Sequence, residues 1–324
     1  MLKRVIIKFS DSISIDSKRI FYMKYIEMPD GSPAYHLAFE QAVAESITGD
    51  ALILWQNSPA LVCGSYQNVF READVYAAYK SGVPVVRRIS GGGTVYHDKG
   101  NLNYTLVTDF NPEYDYSDVM KGMITALQKM GIPAEKGGIC DISVCGKKVS
   151  GNAQRVFNGR LMHHGTLLFS TDLSALKLLC GRSGREYTDK SIKSVPAEVL
   201  NLREFFPGSI LDFKKGIIAC FPSPLEPYSP AQDVYEKADE LNKTRYAYDE
   251  WTYLKNPTFS VSAEKDYGFA RYRAEKGIIK EGKIVFKGKE LTDKFLGARL
   301  IPSETEALCK ELSDDYELLA GLIL

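Results

Sequence analysis

Several things are scarce in this chain of 324 residues. It has no excess of charge, since Lys and Arg number 41 and Asp and Glu also number 41. A nucleic-acid binder usually shows a basic excess, so no nucleic-acid partner is expected. No apolar run approaches the roughly 20 residues that span a bilayer. The opening MLKRVIIKFSDSIS has an apolar run too short for a secretory leader. The chain therefore reads as soluble and cytoplasmic, with no membrane partner. Its six cysteines, Cys63, Cys140, Cys145, Cys180, Cys220 and Cys309, are scattered without a CxxC pair. That spacing fits neither a disulfide framework nor a structural zinc site, and reduced thiols packed as small apolar groups are expected. There are only four histidines, and no carboxylate stands at metal-site spacing with them, so no fixed protein metal site is expected. Also missing is GxxxxGK[ST], and a GxGxxG loop fails because Tyr96 stands where its last glycine would fall. P-loop and dinucleotide-binding folds are disfavoured.

What is present is a spread of hydrophobic residues, 44% of the chain, enough for one large domain and a smaller one. Ser32 and Pro33 suit an N-cap and first helical residue. Leu37, Ala38, Ala42 and Ile47 follow at helical spacing, and Gly49 stops the helix. Short strand-like runs follow at 51–55, 59–64 and 83–88, with a helix over 72–80. Residues 117–131 form the clearest helix, with Ser117 as N-cap and Val119, Met123, Ile124, Leu127 and Met130 as its apolar stripe. Two hairpins are expected, one turning at Gly146 and Lys147, the other at Asn158 and Gly159. The large domain is thus a mixed α+β sheet. Residues 205–250, rich in Pro, Tyr and charge, read as a connector. From Trp251 onward strands dominate, and Ser303 to Glu306 match a capping box before a short helix. The division expected is 1–245 and 251–324, the second part a small α+β domain that caps the first and can be removed without loss of solubility.

The densest chemistry lies in RRISGGGTVYHDKGNLNYTL, residues 87–106. Three consecutive glycines leave backbone N–H groups free to face an anion. Arg87 and Arg88 add forked donors. A bare SGGG is as often a flexible turn, but Ser90, His97, Asp98, Asn101 and Asn103 pack polar groups round this one. A second segment, CDISVCGKKVSGNAQ (140–154), sets a lysine pair beside another small-residue loop at Ser150 and Gly151. A lysine there can hold phosphate and carboxylate oxygens together, although Lys-Lys in a hairpin is more often a solvated turn. The third segment is MHHGTLLF (162–169). Adjacent histidines on a strand face opposite ways, so His163 and His164 cannot easily share a metal.

These segments, in this order and spacing, resemble the lipoate–protein ligase family. LWQNSPALVCGSYQN (54–68) and SVPAEVLNL (194–202) resemble two further motifs, so the likeness runs over about 25–205. The terminal segment resembles the accessory domain of two-domain members. The resemblance implies an α+β fold of the biotin/lipoate ligase type. It implies a ligase that converts lipoate and ATP, with Mg²⁺, to lipoyl-AMP and pyrophosphate. The lipoyl group then passes to a lysine of a lipoyl domain of a 2-oxoacid dehydrogenase complex or of the glycine cleavage H protein.

Lys148 and Asp141 match the family's catalytic positions. Arg88, Ser90, Gly91, Gly92, Gly93, Thr94, Val95, Tyr96, His97, Asn103, Lys148, Ser150, Gly151 and Ala153 match its nucleotide-binding positions. Lys148, His164 and Gly165 match its lipoate-binding ones. Leu54, Val62, Val95 and Leu167 are candidate walls for the acyl chain. Two positions depart from the family, Cys140 and His36, each standing where Asn is usual. An octanoyl or lipoyl transferase working through a cysteine thioester is the alternative enzyme, and a silent lipoyl-AMP sensor the alternative outside catalysis. A biotin ligase is a weaker rival, because no GRGRxG loop occurs.

Overall fold

The computed structural model describes residues 22–113, 115–180 and 184–324; the opening segment read above lies outside them. The strands are β1 (Met23–Glu27), β2 (Ala51–Trp55), β3 (Ala60–Cys63), β4 (Val85–Arg87), β5 (Val95–His97), β6 (Asn101–Asp109), β7 (Ala134–Lys136), β8 (Asp141–Val144), β9 (Lys147–Phe157), β10 (Arg160–Leu168), β11 (Glu186–Asp189), β12 (Leu225–Pro227), β13 (Phe259–Lys265), β14 (Gly268–Glu275), β15 (Ile278–Phe286) and β16 (Lys289–Glu290). Eight of them form a sheet in the order β12-β1-β2-β6-β10-β9-β8-β7. β1 runs parallel to β2 and β12, while β6, β10, β9, β8 and β7 follow antiparallel. The mixed α+β sheet expected from the hairpin signals is what forms.

Alternation along these strands divides the sheet into two faces. Leu52 and Leu54 pack with Leu102, Tyr104 and Leu167 under the helices Tyr116–Lys129 and Ile210–Cys220. Ala51, Ile53 and Trp55 turn the other way, under the helix Pro33–Ser46. That helix is buried on nearly all sides, because the helix Gln232–Leu241 covers its back. Its start is as expected: Ser32 Oγ accepts from the Tyr35 N–H at 3.1 Å and Pro33 opens the first turn.

Four local expectations shift. The helix 116–129 is capped by Asp115, which accepts from the N–H groups of Ser117 and Asp118, and not by Ser117. A carboxylate two residues earlier out-competes the hydroxyl because it takes two donors and complements the helix dipole. The first hairpin turns at Cys145 and Gly146, whose φ angles of 51° and 74° give a two-residue turn with both central residues left-handed. The last expected capping box does not form; the helix Pro302–Leu312 starts one residue before Ser303, and Glu306 reaches Lys80 instead, at 3.1 Å. Finally, the segment taken as a connector builds the large sheet, with β12 as its edge strand. Pro227 is tolerated there because an edge strand needs fewer ladder bonds.

A five-stranded sheet, β11-β13-β14-β15-β16, and a three-stranded one, β4-β3-β5, complete the chain. Both share one core. Val69, Phe70 and Tyr76 pack with Phe259, Val261, Tyr272 and the terminal Leu322 and Ile323. The fully buried Arg87 ties this seam. Its guanidinium donates to the carbonyls of Gly64, Gln67 and Thr252 and to Asn256 Oδ1, at 2.7–3.0 Å. It faces away from the glycine loop, so only one arginine of the RR pair is free to serve that loop.

Ending the chain at residue 250 therefore uncovers the apolar faces of Val69, Phe70 and Val75 and strands a buried guanidinium. Such a fragment should be aggregation-prone and bind a hydrophobic dye, in contrast to the soluble fragment expected from the sequence. A monodisperse, dye-negative fragment on size-exclusion chromatography would contradict this shared core.

Candidate active site

A cleft of about 490 Å³ opens where the glycine loop, β9, β10 and the segment 192–195 meet, and a second cavity of about 290 Å³ adjoins it behind Thr94, Lys148 and Gly151. Its organiser is Arg88. The side chain is buried and donates through Nε to Ser90 Oγ at 3.1 Å, through Nη1 to the Val62 carbonyl at 2.9 Å, and through Nη2 to the carbonyls of Gly91 and Gly93 at 2.6 and 2.7 Å. Burial pulls its pKa down to about 10, still cationic at neutral pH. Gly92, at φ +84°, makes the turn that aims both flanking carbonyls at one guanidinium. The loop also presses on β3 so closely that a Cβ at Gly64 would stand 2.2 Å from the Gly92 carbonyl oxygen.

Opposite the loop stands Lys148. It enters on β9 just past the Cys145–Gly146 turn, and β9 bulges there: Ser143 faces Lys148 while Ile142 faces Ser150, leaving Val149 as the extra residue. The backbone of Lys148 is fixed on the outer side, donating to the Glu198 carbonyl at 2.8 Å and accepting from the Leu200 N–H at 3.0 Å. Its ammonium lies 2.8 Å from Asp141 Oδ1, with both side chains about a quarter exposed. Among the described residues, Asp141 is the one carboxylate lining the cleft.

The inner end is apolar and walled by Leu37, Trp55, Val62 and Val95. Two buried polar chains flank it. Asn57 accepts at Oδ1 2.6 Å from His36 Nδ1 and donates through Nδ2 to His97 Nδ1 at 2.9 Å, with both imidazoles edge-on to Trp55. On the other side the Glu40 carboxylate takes the Nδ1–H of His164, whose Nε2 lies 2.6 Å from Ser90 Oγ. Glu40 also accepts from Thr105 Oγ1 at 3.1 Å. A carboxylate on Nδ1 fixes the ring tautomer and leaves Nε2 to accept from Ser90. The chain Glu40–His164–Ser90–Arg88 thus links the first helix to the glycine loop. His163, one residue before His164, faces the opposite side of the sheet as alternation demands, and meets Gln154 Nε2 at 2.9 Å.

Of the residues matched from the sequence, Arg88, Gly92, Gly93, Thr94, Val95, His97, Asn103, Asp141, Lys148, Gly151, Ala153, His164 and Gly165 line the cleft. Ser90, Gly91, Tyr96 and Ser150 do not. Ser90 and Ser150 are fully buried, and Tyr96 borders the adjoining cavity. Of the candidate acyl walls, Val62 and Val95 line the cleft, whereas Leu54 and Leu167 point into the opposite core. The register explains the miss: Trp55 pairs with Asn103 and Asn103 with Thr166 on the cleft face, so their neighbours Leu54 and Leu167 must face away. Leu37, Trp55, Glu40, Asn57 and Ser194 were not anticipated. One signal was available, a carboxylate set within the apolar helix AYHLAFEQAVAES.

The family described as the lipoyl protein ligase A/B catalytic domain matches residues 32–222, and the chain belongs to it. Lipoate–protein ligase 1 of Staphylococcus aureus (strain Mu50 / ATCC 700699) is 32% identical over 262 residues, 78% of this chain and 79% of that one. Among solved structures, the bi-partite lipoate protein ligase of Thermoplasma acidophilum, studied with its E2 lipoyl domain, superposes with a TM-score of 0.61 at 24% identity, over 71% of this chain and 96% of that one. A lipoate-protein ligase A bound with ATP gives a TM-score of 0.61 at 24% identity, over 72% and 98%. The two superpositions show a common fold.

Burial holds His97 and His163 neutral, their pKa values pulled down to about 3. An unfolded histidine takes its proton near pH 6.5. The unfolded chain therefore binds more protons than the folded one below that pH. Stability contributed by the two rings is complete above pH ~6.5 and declines as pH falls towards 3, by about 1.4 kcal/mol per pH unit for each ring. Unfolding midpoints should drop steadily between pH 6.5 and 4.5, and neither ring should titrate by NMR above pH 5. A His97 or His163 resonance titrating near pH 6.5 in the folded protein would refute this.

Proposed function

We propose that the cleft carries out both half-reactions of lipoate attachment. In the first, the lipoate carboxylate attacks the α-phosphorus of ATP, giving lipoyl-AMP and pyrophosphate. In the second, a lysine ε-amine of an acceptor protein attacks the acyl carbonyl and AMP departs. The observation that carries this is the place of Lys148, in a cleft lined by the glycine loop and by an apolar pocket and beside its Asp141 partner. Both half-reactions place negative charge between carboxylate and phosphate, and a fixed ammonium there stabilises charge as it develops. Asp141 holds that ammonium in place before substrate arrives. The loop from Ser90 to Tyr96, with Arg88 beneath it and His97, Asn103, Ser150, Gly151 and Ala153 around it, would take the nucleotide. His164 and Gly165, with Leu37 and Trp55, would take the lipoyl chain.

Mg²⁺ enters with the nucleotide, since it is usually carried by phosphate oxygens with one or two carboxylates; Asp141 is the carboxylate at hand. The acceptors are lipoyl domains, and the glycine cleavage H protein as a second class offering the same exposed lysine. Lipoyl domains are supported by the archaeal ligase solved in one study with its E2 lipoyl domain. No helix among the described residues is long and apolar enough to cross a membrane. We assign the reaction to the cytoplasm as the ATP-containing compartment. Residues 251–324 act as an accessory segment to the catalytic 1–245, which lends its strand β11 to the sheet of that segment.

A cysteine thioester is not needed. Burial, then the Asp141 carboxylate, pushes the Cys140 thiol up, the wrong direction for a nucleophile. Cys140→Ser and Cys145→Ser should each keep ATP-dependent ligation within about tenfold, a disturbance of ~1.4 kcal/mol. An enzyme-bound acyl adduct that vanishes from the intact mass of either variant would favour the transferase instead.

Pyrophosphate release should require ATP, Mg²⁺ and lipoate together. Lys148→Ala should fold normally, because the hairpin is held by its backbone, yet lose on the order of 10²–10³ in rate, as for a lost oxyanion donor. Release with biotin and none with lipoate would overturn the substrate. Near-normal turnover of Lys148→Ala beside a dead Lys147→Ala would move the role to the neighbouring residue.

A further inference from the structure

His163 has no part in the chemistry proposed above. It is fully buried and neutral, and it belongs to a polar network on the reverse face of the sheet. There the strand register sets Tyr104, Gly165 and Asn152 in one row across β6, β10 and β9. The glycine in the middle leaves the row open. A Cβ at Gly165 would stand 2.0 Å from Asn152 Oδ1 and 2.7 Å from the Tyr104 ring. The Tyr104 hydroxyl reaches across that gap and donates to Asn152 Oδ1. His163 meets the same oxygen through Nε2 at 3.2 Å, and its Nδ1 accepts from Gln154 Nε2 at 2.9 Å. A neutral ring that accepts at Nδ1 carries its proton on Nε2, so both neighbours donate to the amide oxygen.

The other end of the amide points along β8. Asn152 Nδ2 donates to the Cys140 carbonyl at 2.9 Å and to Ser150 Oγ at 3.2 Å. The Asn152 backbone N–H donates to the same Cys140 carbonyl, also at 2.9 Å. A carbonyl only accepts, so these contacts settle which way the amide faces. The Cys140 carbonyl shares one rigid peptide plane with the Asp141 N–H. Two donors from one residue therefore fix the plane from which Asp141 departs. The Asp141 side chain has weaker guidance of its own. It meets the Cys140 thiol at 3.9 Å and the Lys148 ammonium at 2.8 Å, with both members of the ion pair about a quarter exposed. Ion pairs open to water hold their partners loosely. A buried phenol, imidazole and amide are costly to enclose unless all are satisfied, and once satisfied they are rigid. What this network makes rigid is the backbone beneath the acid that holds the lysine.

We propose that Asn152 is a positioning residue for the reaction: oriented by Tyr104 and His163, it fixes the Cys140–Asp141 peptide, and through Asp141 it sets where the Lys148 ammonium stands. Asn152 turns its backbone to the cleft, its carbonyl oxygen 3.9 Å from where a Cβ on Gly92 would lie. Its side chain thus acts through Asp141 and not on substrate. The consequence for rate rests on the ligase reading; the placement of Lys148 does not.

The test is a double-mutant cycle in the full-length protein: Asn152→Ala, Asp141→Asn and the two combined. Pyrophosphate release is measured over ranges of lipoate and ATP. Asn152→Ala should lower kcat roughly tenfold, the scale of one lost hydrogen bond, and leave both KM values within about twofold. Added to Asp141→Asn it should cause no further fall, because the two residues act in one chain. A second readout needs no substrate. Lys148 and Lys147 are acetylated with an amine-reactive ester and followed by peptide mass spectrometry, Lys147 serving as the reference. An ammonium held by a carboxylate keeps its proton and acylates slowly. Lys148 labelling should therefore rise in Asn152→Ala and in Asp141→Asn alike, and no further in the pair. Tyr104→Phe, which removes one hydroxyl, should show the same pattern at smaller size and carries the cycle if Asn152→Ala does not fold. Losses that multiply in the double variant, or unchanged Lys148 labelling beside a lowered kcat, would overturn the proposal and leave Asn152 a structural residue. A parent protein that releases no pyrophosphate with lipoate would remove the ligase reading, while the labelling cycle would still decide the placement of Lys148.

Discussion

A buried guanidinium without an acid is the constraint on which the cleft depends. Arg88 uses four of its five N–H donors, and every acceptor is a backbone carbonyl or the Ser90 hydroxyl. Neutral partners satisfy its hydrogen bonds but leave its charge uncancelled. Two consequences follow. The glycine loop, which would otherwise lose much entropy on binding a ligand, is already held by carbonyls on either side of Gly92. The positive field beneath it also remains available to any anion that enters. Had evolution paired Arg88 with a carboxylate, the loop would be equally fixed but its field would be largely spent.

The same loop is reached from the acyl end. Glu40 orients His164, His164 meets Ser90, and Ser90 accepts from Arg88. The wall of the apolar pocket and the floor of the phosphate loop are thus one hydrogen-bonded chain. On the far side, Arg87 binds the same stretch of backbone to Thr252 and Asn256. Adjacent arginines on one strand face opposite ways, so the RR pair serves the cleft with one side chain and the seam with the other. Deeply buried charges survive in both places because acceptors meet all the donors of Arg87 and four of the five of Arg88, without which burial would cost several kcal/mol.

Much of this was legible in the sequence because its signals are local. A run of three glycines, an Asn-Gly turn and an amphipathic stripe over 117–131 each report their structure within a few residues, and the family's motifs sit on those same segments. The errors have local physical causes too. Asp115 displaced Ser117 as a cap, and the first hairpin turned one residue early at Cys145 and Gly146. What could not be read was contact across the chain. The cleft face of β2 depends on a register with β6 that places Trp55 opposite Asn103, and one residue of parity separates that face from Leu54. Glu40 finds His164 across 124 residues. The shared core joins Phe70 to Phe259, two elements assigned by their sequence to different domains.

The account's central claim is that one cleft first joins lipoate to AMP and only then gives it to protein. Carboxyl-¹⁸O-labelled lipoate tests it directly, with the AMP formed during ligation to a lipoyl domain analysed by mass spectrometry. If the carboxylate attacks the α-phosphorus, one labelled oxygen must leave with AMP when the lysine amine takes the acyl group. Label in the phosphate of AMP is the predicted result. Unlabelled AMP, or label in inorganic phosphate, would contradict the acyl-adenylate and with it the role assigned to the cleft.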